Sequence, residues 1–187
     1  IHETLNYYEP DLIINTAAYT AVDKAETEID LAFTINAKAV EIMAQYAVLH
    51  GATLLHYSTD YVFDGQKSGF YTEDDLRNPL SIYGESKAVG EEAIEAVFKN
   101  LPKKSQAQYA IFRTSWVYGA RGGNFAKTML RLSDTRDALT VVADQIGGPT
   151  PARDIAVACL QIAKQLIEDP AKSGIYHFSG GPDVSWA

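Results

Sequence analysis

The chain has 187 residues, of which 47% are hydrophobic and 21% are charged, as is ordinary for a globular protein. That length suits about one domain with its own core. The formal net charge of -8 argues against a nucleic-acid partner, because phosphate binding needs a basic surface. No apolar run approaches the roughly 20 residues that cross a bilayer, so we expect no contact with a membrane.

The cysteine and metal patterns restrict the function further. Cys159 is the only cysteine, lies in an apolar run, and is expected to be a small buried residue. Without a second cysteine there is no intrachain disulfide, which favours a cytoplasmic location. No cluster of His, Cys and carboxylates has the spacing of a metal site, so we assign no metal ligands.

Strand and helix patterns alternate along the chain. Short, nearly continuous apolar runs predict strands at residues 11–15, 53–58, 109–114, 139–142 and 174–178. Apolar residues at helical spacing predict helices at residues 1–8, 25–49, 79–98, 124–132 and 152–167. This alternation indicates an α/β protein with a Rossmann-like, doubly wound parallel sheet that has helices on both faces.

The two ends of the chain do not look like natural termini. The first residue is Ile1 rather than methionine, and Ser185 near the other end is placed like the N-cap of a helix that does not follow. We therefore expect the chain to be a piece of a longer protein.

The carboxyl ends of the predicted strands are the expected place for chemistry, since ligands bind there in parallel α/β sheets. Small, hydroxylic or aromatic residues occupy three of these ends, at residues 15–18, 58–60 and 114–116.

Tyr83 and Lys87 are the sharpest local feature. Four positions apart at the start of a predicted helix, they lie on one face, one turn from each other. A phenol has a pKa of about 10, and a nearby ammonium group lowers it. Thr59, at the end of a strand, can hydrogen-bond the same substrate oxygen. The three residues together would protonate a carbonyl oxygen while a hydride reaches its carbon.

Six segments taken together resemble one known family. They are residues 15–26, 57–65, 83–87, 113–118, 124–130 and 144–150. In register from about Pro10 to Trp186, the chain is similar to the dTDP-4-dehydrorhamnose reductases, which are extended short-chain dehydrogenases. The resemblance implies reduction of the 4-keto group of dTDP-4-dehydro-L-rhamnose to dTDP-L-rhamnose, with NADPH or NADH as hydride donor.

The resemblance also implies catalytic and cofactor-binding roles. Tyr83 would donate the proton, Lys87 would lower the Tyr83 pKa and bind the nicotinamide ribose, and Thr59 would hold the sugar oxygen. The residues that fall where the family lines the cofactor are Ala17, Ala18, Tyr19, Thr20, Tyr57, Tyr83 and Lys87.

A nucleotide sugar is the implied partner. Thr59, Asp60 and Trp116 fall where the family contacts the sugar, and Gln145 lies in a loop that would help to hold the nucleotide. A homodimer and a bound Mg²⁺ are both compatible with the resemblance, although no residue in this stretch requires the ion.

Several of these residues also have plain structural interpretations. Residues 17–18 can be small because a strand and a helix pack tightly there, and Trp116 can fill a core. Asp23 and Glu26 are expected to be first-turn acids that complement the dipole of their own helix. His56, inside an apolar strand, is interpreted as structural.

The chain departs from the family at one point, because no glycine-rich dinucleotide fingerprint precedes residue 1. We expect the fold to lack its first βαβ unit and most of the C-terminal substrate region. Residues 1–150 would form an incomplete NAD(P)-binding Rossmann-like domain. Residues 151–187 would begin the substrate-binding region with a returning helix and strand. On its own, such a chain should bind NADPH poorly and be inactive.

Two other functions stay open. A sugar-nucleotide epimerase or dehydratase of the same extended type shares the Tyr-x-x-x-Lys motif, and dehydratases carry an acidic residue where this chain has Asp60. The regulatory beta subunit of methionine adenosyltransferase also resembles these reductases, but it acts as a binding partner. Retention of Thr59, Tyr83 and Lys87 favours catalysis.

Overall fold

A computed structural model describes residues 1–101 and 105–187. At its centre lies a four-stranded sheet in the order β1-β2-β3-β7, and every pairing in it is parallel. The strands of the described residues are β1 (Leu12–Asn15), β2 (Thr53–Thr59), β3 (Gln108–Thr114), β4 (Val117–Tyr118), β5 (Ile146–Gly147), β6 (Thr150–Pro151), β7 (Gly174–His177) and β8 (Val184–Ser185).

Helices connect these strands and cover the sheet. They are α1 (His2–Tyr8), α2 (Val22–Ala25), α3 (Ile29–Phe33), α4 (Ala39–His50), α5 (Ile82–Lys99), α6 (Phe125–Ser133) and α7 (Ala152–Glu168). A π-helical turn, Thr34–Lys38, joins α3 to α4, and short 3₁₀ turns occupy Asp60–Val62 and Pro170–Lys172.

Two apolar layers hold the helices to the sheet. On one face, residues of α4 and α5 pack against Leu54 of β2 and Ile111 of β3. On the other face, α7 contributes Cys159 and Leu166, which pack against Phe112 of β3. Each large apolar side chain buried in this way stabilises the fold by about 1.5–3 kcal/mol. The predicted parallel sheet with helices on both faces is therefore confirmed, and so is the burial of Cys159, which is 1% exposed.

The register of the sheet brings the candidate chemistry to one edge. β2 pairs with β3 over its whole length, and Thr59 lies opposite Thr114 at the carboxyl end. Asn15, the last residue of β1, lies opposite His56 of β2. The carboxyl ends of these strands form the edge to which the helix starts and loops of the site attach.

The predicted helix at residues 25–49 is interrupted. The chain forms α2, then α3, the π-helical turn and α4. Asn36, in the π-helical turn, directs its side chain to the backbone of Tyr19. These bonds hold an inward-facing polar side chain, which the apolar spacing alone does not anticipate.

The predicted strand at residues 139–142 is wrong. This segment has no regular structure and is largely exposed, and no strand among residues 1–101 and 105–187 pairs with it. Instead, β5 pairs antiparallel with β8. Ser185 therefore belongs to a strand rather than to a helix N-cap, and its hydroxyl donates to the carbonyl oxygen of Ala143 at 3.0 Å.

The predicted returning helix and strand are α7 and β7. Both belong to the central sheet layer, because α7 packs on it and β7 pairs with β3. The division of the chain at residue 150 stays a prediction. Among the described residues, no helix combines the length and the apolar character needed to span a bilayer.

Candidate active site

Thr59 ends β2 and begins a 3₁₀ turn. The side chain is buried, at 6% exposure. Its hydroxyl donates to the Asp60 carboxylate at 2.9 Å and accepts from the Tyr61 backbone N–H at 3.2 Å. Asp60 keeps contact with solvent, yet desolvation of its carboxyl raises its pKa, against the opposing effect of the Thr59 hydrogen bond. The strand end thus presents a fixed hydroxyl beside a carboxyl group.

The N-terminus of α5 carries the tyrosine of the predicted pair. Ser81 is its N-cap and accepts a hydrogen bond from the Gly84 N–H at 3.1 Å. A carboxylate oxygen of Glu26 accepts from the Ile82 N–H at 2.9 Å. Glu26 is the C-cap residue of α2, so the expectation that it lies in the first turn of its own helix is wrong, whereas Asp23 does lie there. Glu26 serves the N-terminus of α5 instead, because the fold brings these distant segments together. Tyr83 follows directly in the first turn.

Tyr83 lies within reach of the Thr59 hydroxyl. Burial raises the pKa of the phenol to about 12, hydrogen bonding with Thr59 acts in the opposite direction, and the charges of Asp60 and Tyr61 add to the rise. The ring packs edge-to-face on Tyr61, with 5.5 Å between the ring centroids. At neutral pH the phenol is therefore protonated, which is the form that donates a proton.

Lys87 lies one turn further along α5 and is 1% exposed. Its amine donates to the Tyr57 carbonyl oxygen at 2.6 Å and lies 3.1 Å from Nε2 of His56. Desolvation lowers the pKa of Lys87 to about 8, although the charge of Glu91 opposes this. The expectation that Lys87 depresses the Tyr83 pKa is not met here, because the amine is engaged by Tyr57 and His56.

His56 and Asn15 extend this contact into the sheet. Both are buried, and the Asn15 amide nitrogen lies 2.9 Å from Nδ1 of His56. The Asn15 amide oxygen accepts from the Ala17 N–H at 3.1 Å. The interpretation of His56 as structural therefore missed its contact with Lys87. The available signal was a histidine inside an apolar strand that leads directly to Thr59.

The segment after β1 is held by Asn36, which the sequence interpretation did not single out. The Asn36 amide oxygen accepts from the Tyr19 N–H at 2.8 Å, and its nitrogen donates to the Tyr19 carbonyl and to the Ser86 hydroxyl, each at 3.0 Å. The Tyr19 phenol donates to Glu28 at 2.6 Å, and this bond is the largest cause that raises the Tyr19 pKa to about 12. Ala17, by contrast, is exposed.

The remaining predicted cofactor positions border the same edge. Ala18 is half-buried and Thr20 is exposed, on either side of Tyr19. The Tyr57 ring is half-buried 5.7 Å from Phe112, and burial raises the pKa of its phenol.

The predicted sugar-binding residues lie in two environments. Trp116 has a left-handed backbone, with φ of 48°, and stacks on Trp186 with 3.7 Å between the ring centroids. Gly147 lies against this indole, since a Cβ there would be 2.9 Å from Cε2 of Trp116. Gln145 is exposed and makes no side-chain hydrogen bond within the described residues. Trp116 is thus packed against Trp186 and Gly147, whereas no hydrogen bond within the described residues fixes the Gln145 side chain.

A buried ion pair supports the loop that follows Thr59. Arg113 of β3 donates from Nη2 to the Glu91 carboxylate at 2.7 Å, and Arg77 donates from Nε to the same carboxylate at 2.7 Å. Burial raises the pKa of Glu91, but the hydrogen bond and charge of Arg113 outweigh it and lower the value. The Arg113 guanidinium also lies 5.0 Å from the Phe63 ring. These contacts tie residues 60–80 to α5 and β3.

The structure therefore brings Thr59, Tyr83, Lys87 and the segment at residues 17–20 to one edge of the sheet. In the part of the chain that the structure describes, no group of three or more His, Cys, Asp or Glu side chains is arranged to hold a metal ion.

Comparisons with known proteins identify the family of the chain. The model of the RmlD substrate binding domain family matches residues 1–187. The dTDP-4-dehydrorhamnose reductase of Aggregatibacter actinomycetemcomitans is 50% identical over 187 residues, which are the whole of this chain and 61% of that protein.

Two solved structures have the same fold. The crystal structure of a dTDP-4-dehydrorhamnose reductase from Clostridium acetobutylicum superposes with a TM-score of 0.84 at 41% identity, over 98% of this chain and 61% of that one. The Bacillus anthracis enzyme of the same name, in complex with NADP, gives 0.83 at 44% identity, over 98% and 62%. The chain thus spans about three fifths of the length of these relatives, and it belongs to the RmlD substrate binding domain family, together with the dTDP-4-dehydrorhamnose reductases.

Proposed function

We propose that this chain carries the proton-transfer residues of an enzyme that reduces the 4-keto group of dTDP-4-dehydro-L-rhamnose to dTDP-L-rhamnose. The observation that supports it is that the Tyr83 phenol lies beside the Thr59 hydroxyl at the carboxyl end of β2, while the Lys87 amine is held by the Tyr57 carbonyl of the same strand. Relatives that are 41–50% identical carry the name of this reductase.

In this mechanism the substrate carbonyl oxygen accepts hydrogen bonds from Tyr83 and Thr59. The Thr59 hydroxyl, which donates to Asp60 in this structure, turns to the substrate. As negative charge develops on the carbonyl oxygen, the proton moves from the Tyr83 hydroxyl to that oxygen. A phenol with a pKa raised to about 12 holds its proton until a stronger base, the developing alkoxide, accepts it.

The residues at this edge fit the nicotinamide-ribose end of NADPH or NADH. Lys87 is held by the Tyr57 carbonyl and His56, which leaves one N–H group for a ribose hydroxyl. The backbone and side chains of Ala17, Ala18, Tyr19 and Thr20, with the Tyr57 ring, would line the cofactor. When bound, the cofactor supplies the hydride. We do not include Mg²⁺ in the proposal.

The sugar nucleotide would lie on the far side of Thr59 and Tyr83. The part of the Trp116 indole that Trp186 leaves uncovered would contact the sugar ring, and Asp60 would hydrogen-bond a sugar hydroxyl. Gln145, free of partners within the described residues, would turn to the nucleotide. By its family membership, the full-length protein would also form a homodimer.

The direct test follows NADPH absorbance in the full-length protein when dTDP-4-dehydro-L-rhamnose is added. We expect NADPH to be consumed and dTDP-L-rhamnose to form. The matched control is dTDP-L-rhamnose, which has no carbonyl and should cause no loss of absorbance. A protein that binds NADPH but consumes none with the ketone would contradict the proposal and would favour a role in binding only.

A further inference from the structure

Three buried polar side chains form an unbroken row beneath the proposed site. Asn15 ends β1, His56 lies opposite it on β2, and Lys87 approaches from α5. They are 5%, 0% and 1% exposed. His56 lies 2.9 Å from the Asn15 amide nitrogen on one side and 3.1 Å from the Lys87 amine on the other.

The backbone of Ala17 fixes the direction of the hydrogen bonds in this row. A backbone N–H can only donate, so the Asn15 atom that faces Ala17 at 3.1 Å must be the amide oxygen. The Asn15 NH₂ group then faces Nδ1 of His56 and donates to it. In a neutral imidazole the other nitrogen carries the proton, so Nε2–H points to Lys87.

With the His56 Nε2–H pointing at the Lys87 amine, the hydrogen bonds can form only if Lys87 is uncharged. A neutral amine has one lone pair, which accepts from the His56 Nε2–H, and two N–H groups, one of which donates to the Tyr57 carbonyl. An ammonium group has no lone pair and would place two donors face to face. To receive the ammonium, His56 must move its proton to Nδ1 and Asn15 must turn its amide oxygen to the ring. Ala17 then loses its acceptor.

We propose that Asn15 and His56 form a relay that couples the charge of Lys87 to the hydrogen bond that anchors the Ala17 amide. Both residues are positioning residues, since they act on the site through Lys87 and Ala17. The groups that act on Lys87 are His56 and the Tyr57 carbonyl from β2, with Glu91 on its own helix. Those that face the His56 ring are Asn15 and Lys87.

The consequence for catalysis rests on the proposed function. If residues 17–20 line the cofactor, a ligand that supplies a new acceptor to the Ala17 N–H removes the cost of turning Asn15. Such a ligand therefore favours the ammonium form of Lys87, and by linkage the ammonium favours the ligand. Burial lowers the pKa of His56 well below its ordinary value and that of Lys87 to about 8, so the ring stays neutral while the amine changes charge near pH 8.

The first experiment needs no variant and no turnover. Nitrogen-15 NMR of His56 and carbon-13 NMR of the Lys87 Cε would be recorded in the full-length protein between pH 6.5 and 9.5. We expect the His56 proton to lie on Nδ1 at low pH and on Nε2 at high pH, with the same midpoint as the Lys87 titration. A ring that keeps one tautomer while Lys87 titrates would overturn the relay.

The second experiment uses Asn15→Asp. A carboxylate accepts from both the Ala17 N–H and the His56 Nδ1–H, so it should hold the ring ready for the ammonium form of Lys87. The Lys87 midpoint should rise by at least about one pH unit, a tenfold change in proton affinity. Asn6→Asp is the matched control, because it adds the same charge at an exposed position of α1 and should leave the midpoint unchanged.

An unchanged midpoint in Asn15→Asp, or an equal rise in Asn6→Asp, would contradict the relay. Both readouts are independent of turnover, so they separate failure of the relay from failure of the proposed reaction. A protein that shows the tautomer change but does not reduce the ketone would support the relay and contradict the proposed function. A protein that reduces the ketone without the tautomer change would support the function and contradict the relay.

Discussion

Lys87 brings an amine into the protein interior, and its proton equilibrium is therefore linked to folding. Desolvation lowers its pKa to about 8 from the ordinary value of 10.5. Between these two values the unfolded chain binds more protons at this lysine than the folded chain does. The contribution of Lys87 to stability therefore rises with pH across this window.

Replacement of Lys87 by methionine tests this linkage. Lys87→Met removes the titrating amine and keeps a long side chain, so its stability relative to the wild type should fall as the pH rises. We expect the difference in free energy of unfolding to change by about 2–3 kcal/mol between pH 7 and pH 10. Urea unfolding at both pH values measures it. Lys164→Met, at an exposed position of α7, is the control and should show no such change. A constant difference for Lys87→Met would contradict the linkage.

For single residues, the sequence predicts a contact best when both partners are close to each other in the chain. Tyr83 and Lys87 share a helix face, so their spacing predicted their proximity. His56 and Asn36 were missed because their partners, Lys87 and the Tyr19 backbone, are distant in sequence. A polar residue in an apolar pattern indicates that a partner exists, but not which one.

Among the elements, α5 depends on a cap from a distant segment. Glu26 accepts from the Ile82 N–H at the helix start, beside Tyr83. Glu26→Ala should lower the free energy of unfolding by about 0.5–2 kcal/mol, since it leaves that donor without its acceptor and removes a favourable charge at the helix N-terminus. Urea unfolding at neutral pH would measure the loss.

Glu85→Ala is the matched control for Glu26→Ala. Glu85 lies in the same first turn and carries the same charge, but its carboxylate makes no hydrogen bond within the described residues. Glu85→Ala should therefore lower the free energy of unfolding by less than Glu26→Ala does. Equal losses would show that charge near the helix end, rather than the specific hydrogen bond, carries the effect.

The contact between α5 and the π-helical turn requires a glycine. A Cβ at Gly90 would overlap the backbone carbonyl oxygen of Asn36, which cannot turn away as a side chain would. Gly90→Ala should therefore destabilise the protein by about 1–3 kcal/mol, even though alanine is the better helix former by about 1 kcal/mol.

Gly123→Ala provides the comparison for Gly90→Ala, since a Cβ at Gly123 meets no atom within 4 Å. Its free energy of unfolding should be close to that of the wild type. If Gly90→Ala were as stable as Gly123→Ala in urea unfolding, the close approach of α5 to Asn36 would be wrong.

The elements that the sequence predicted well are those whose pattern reports burial on its own. β2 and β3 are buried on both faces, α7 has one apolar stripe, and all three lie where they were expected. The strand predicted from the apolar run at residues 139–142 was wrong, because a strand forms only if another strand pairs with it. Whether such a partner exists is decided by residues elsewhere in the chain.

For the whole molecule, the alternation of strands and helices was enough to predict a parallel sheet with helices on both faces. It also predicted that the chemistry lies at the carboxyl ends of the strands, and Thr59 does lie at such an end, opposite Thr114. The network of Arg113 and Glu91, which fixes the loop after Thr59, could not be predicted, because its members come from separate elements.

The turnover of Tyr83→Phe in the full-length protein, with NADPH and dTDP-4-dehydro-L-rhamnose, tests the proposed proton donor most directly. Tyr7→Phe, on the exposed face of α1, is the control and should behave as the wild type. We predict that kcat of Tyr83→Phe falls by roughly 10² to 10⁴, the range typical of a general acid, while Kd for NADPH changes little. A variant that keeps kcat within about threefold of the wild type would contradict the assignment of Tyr83 as the proton donor.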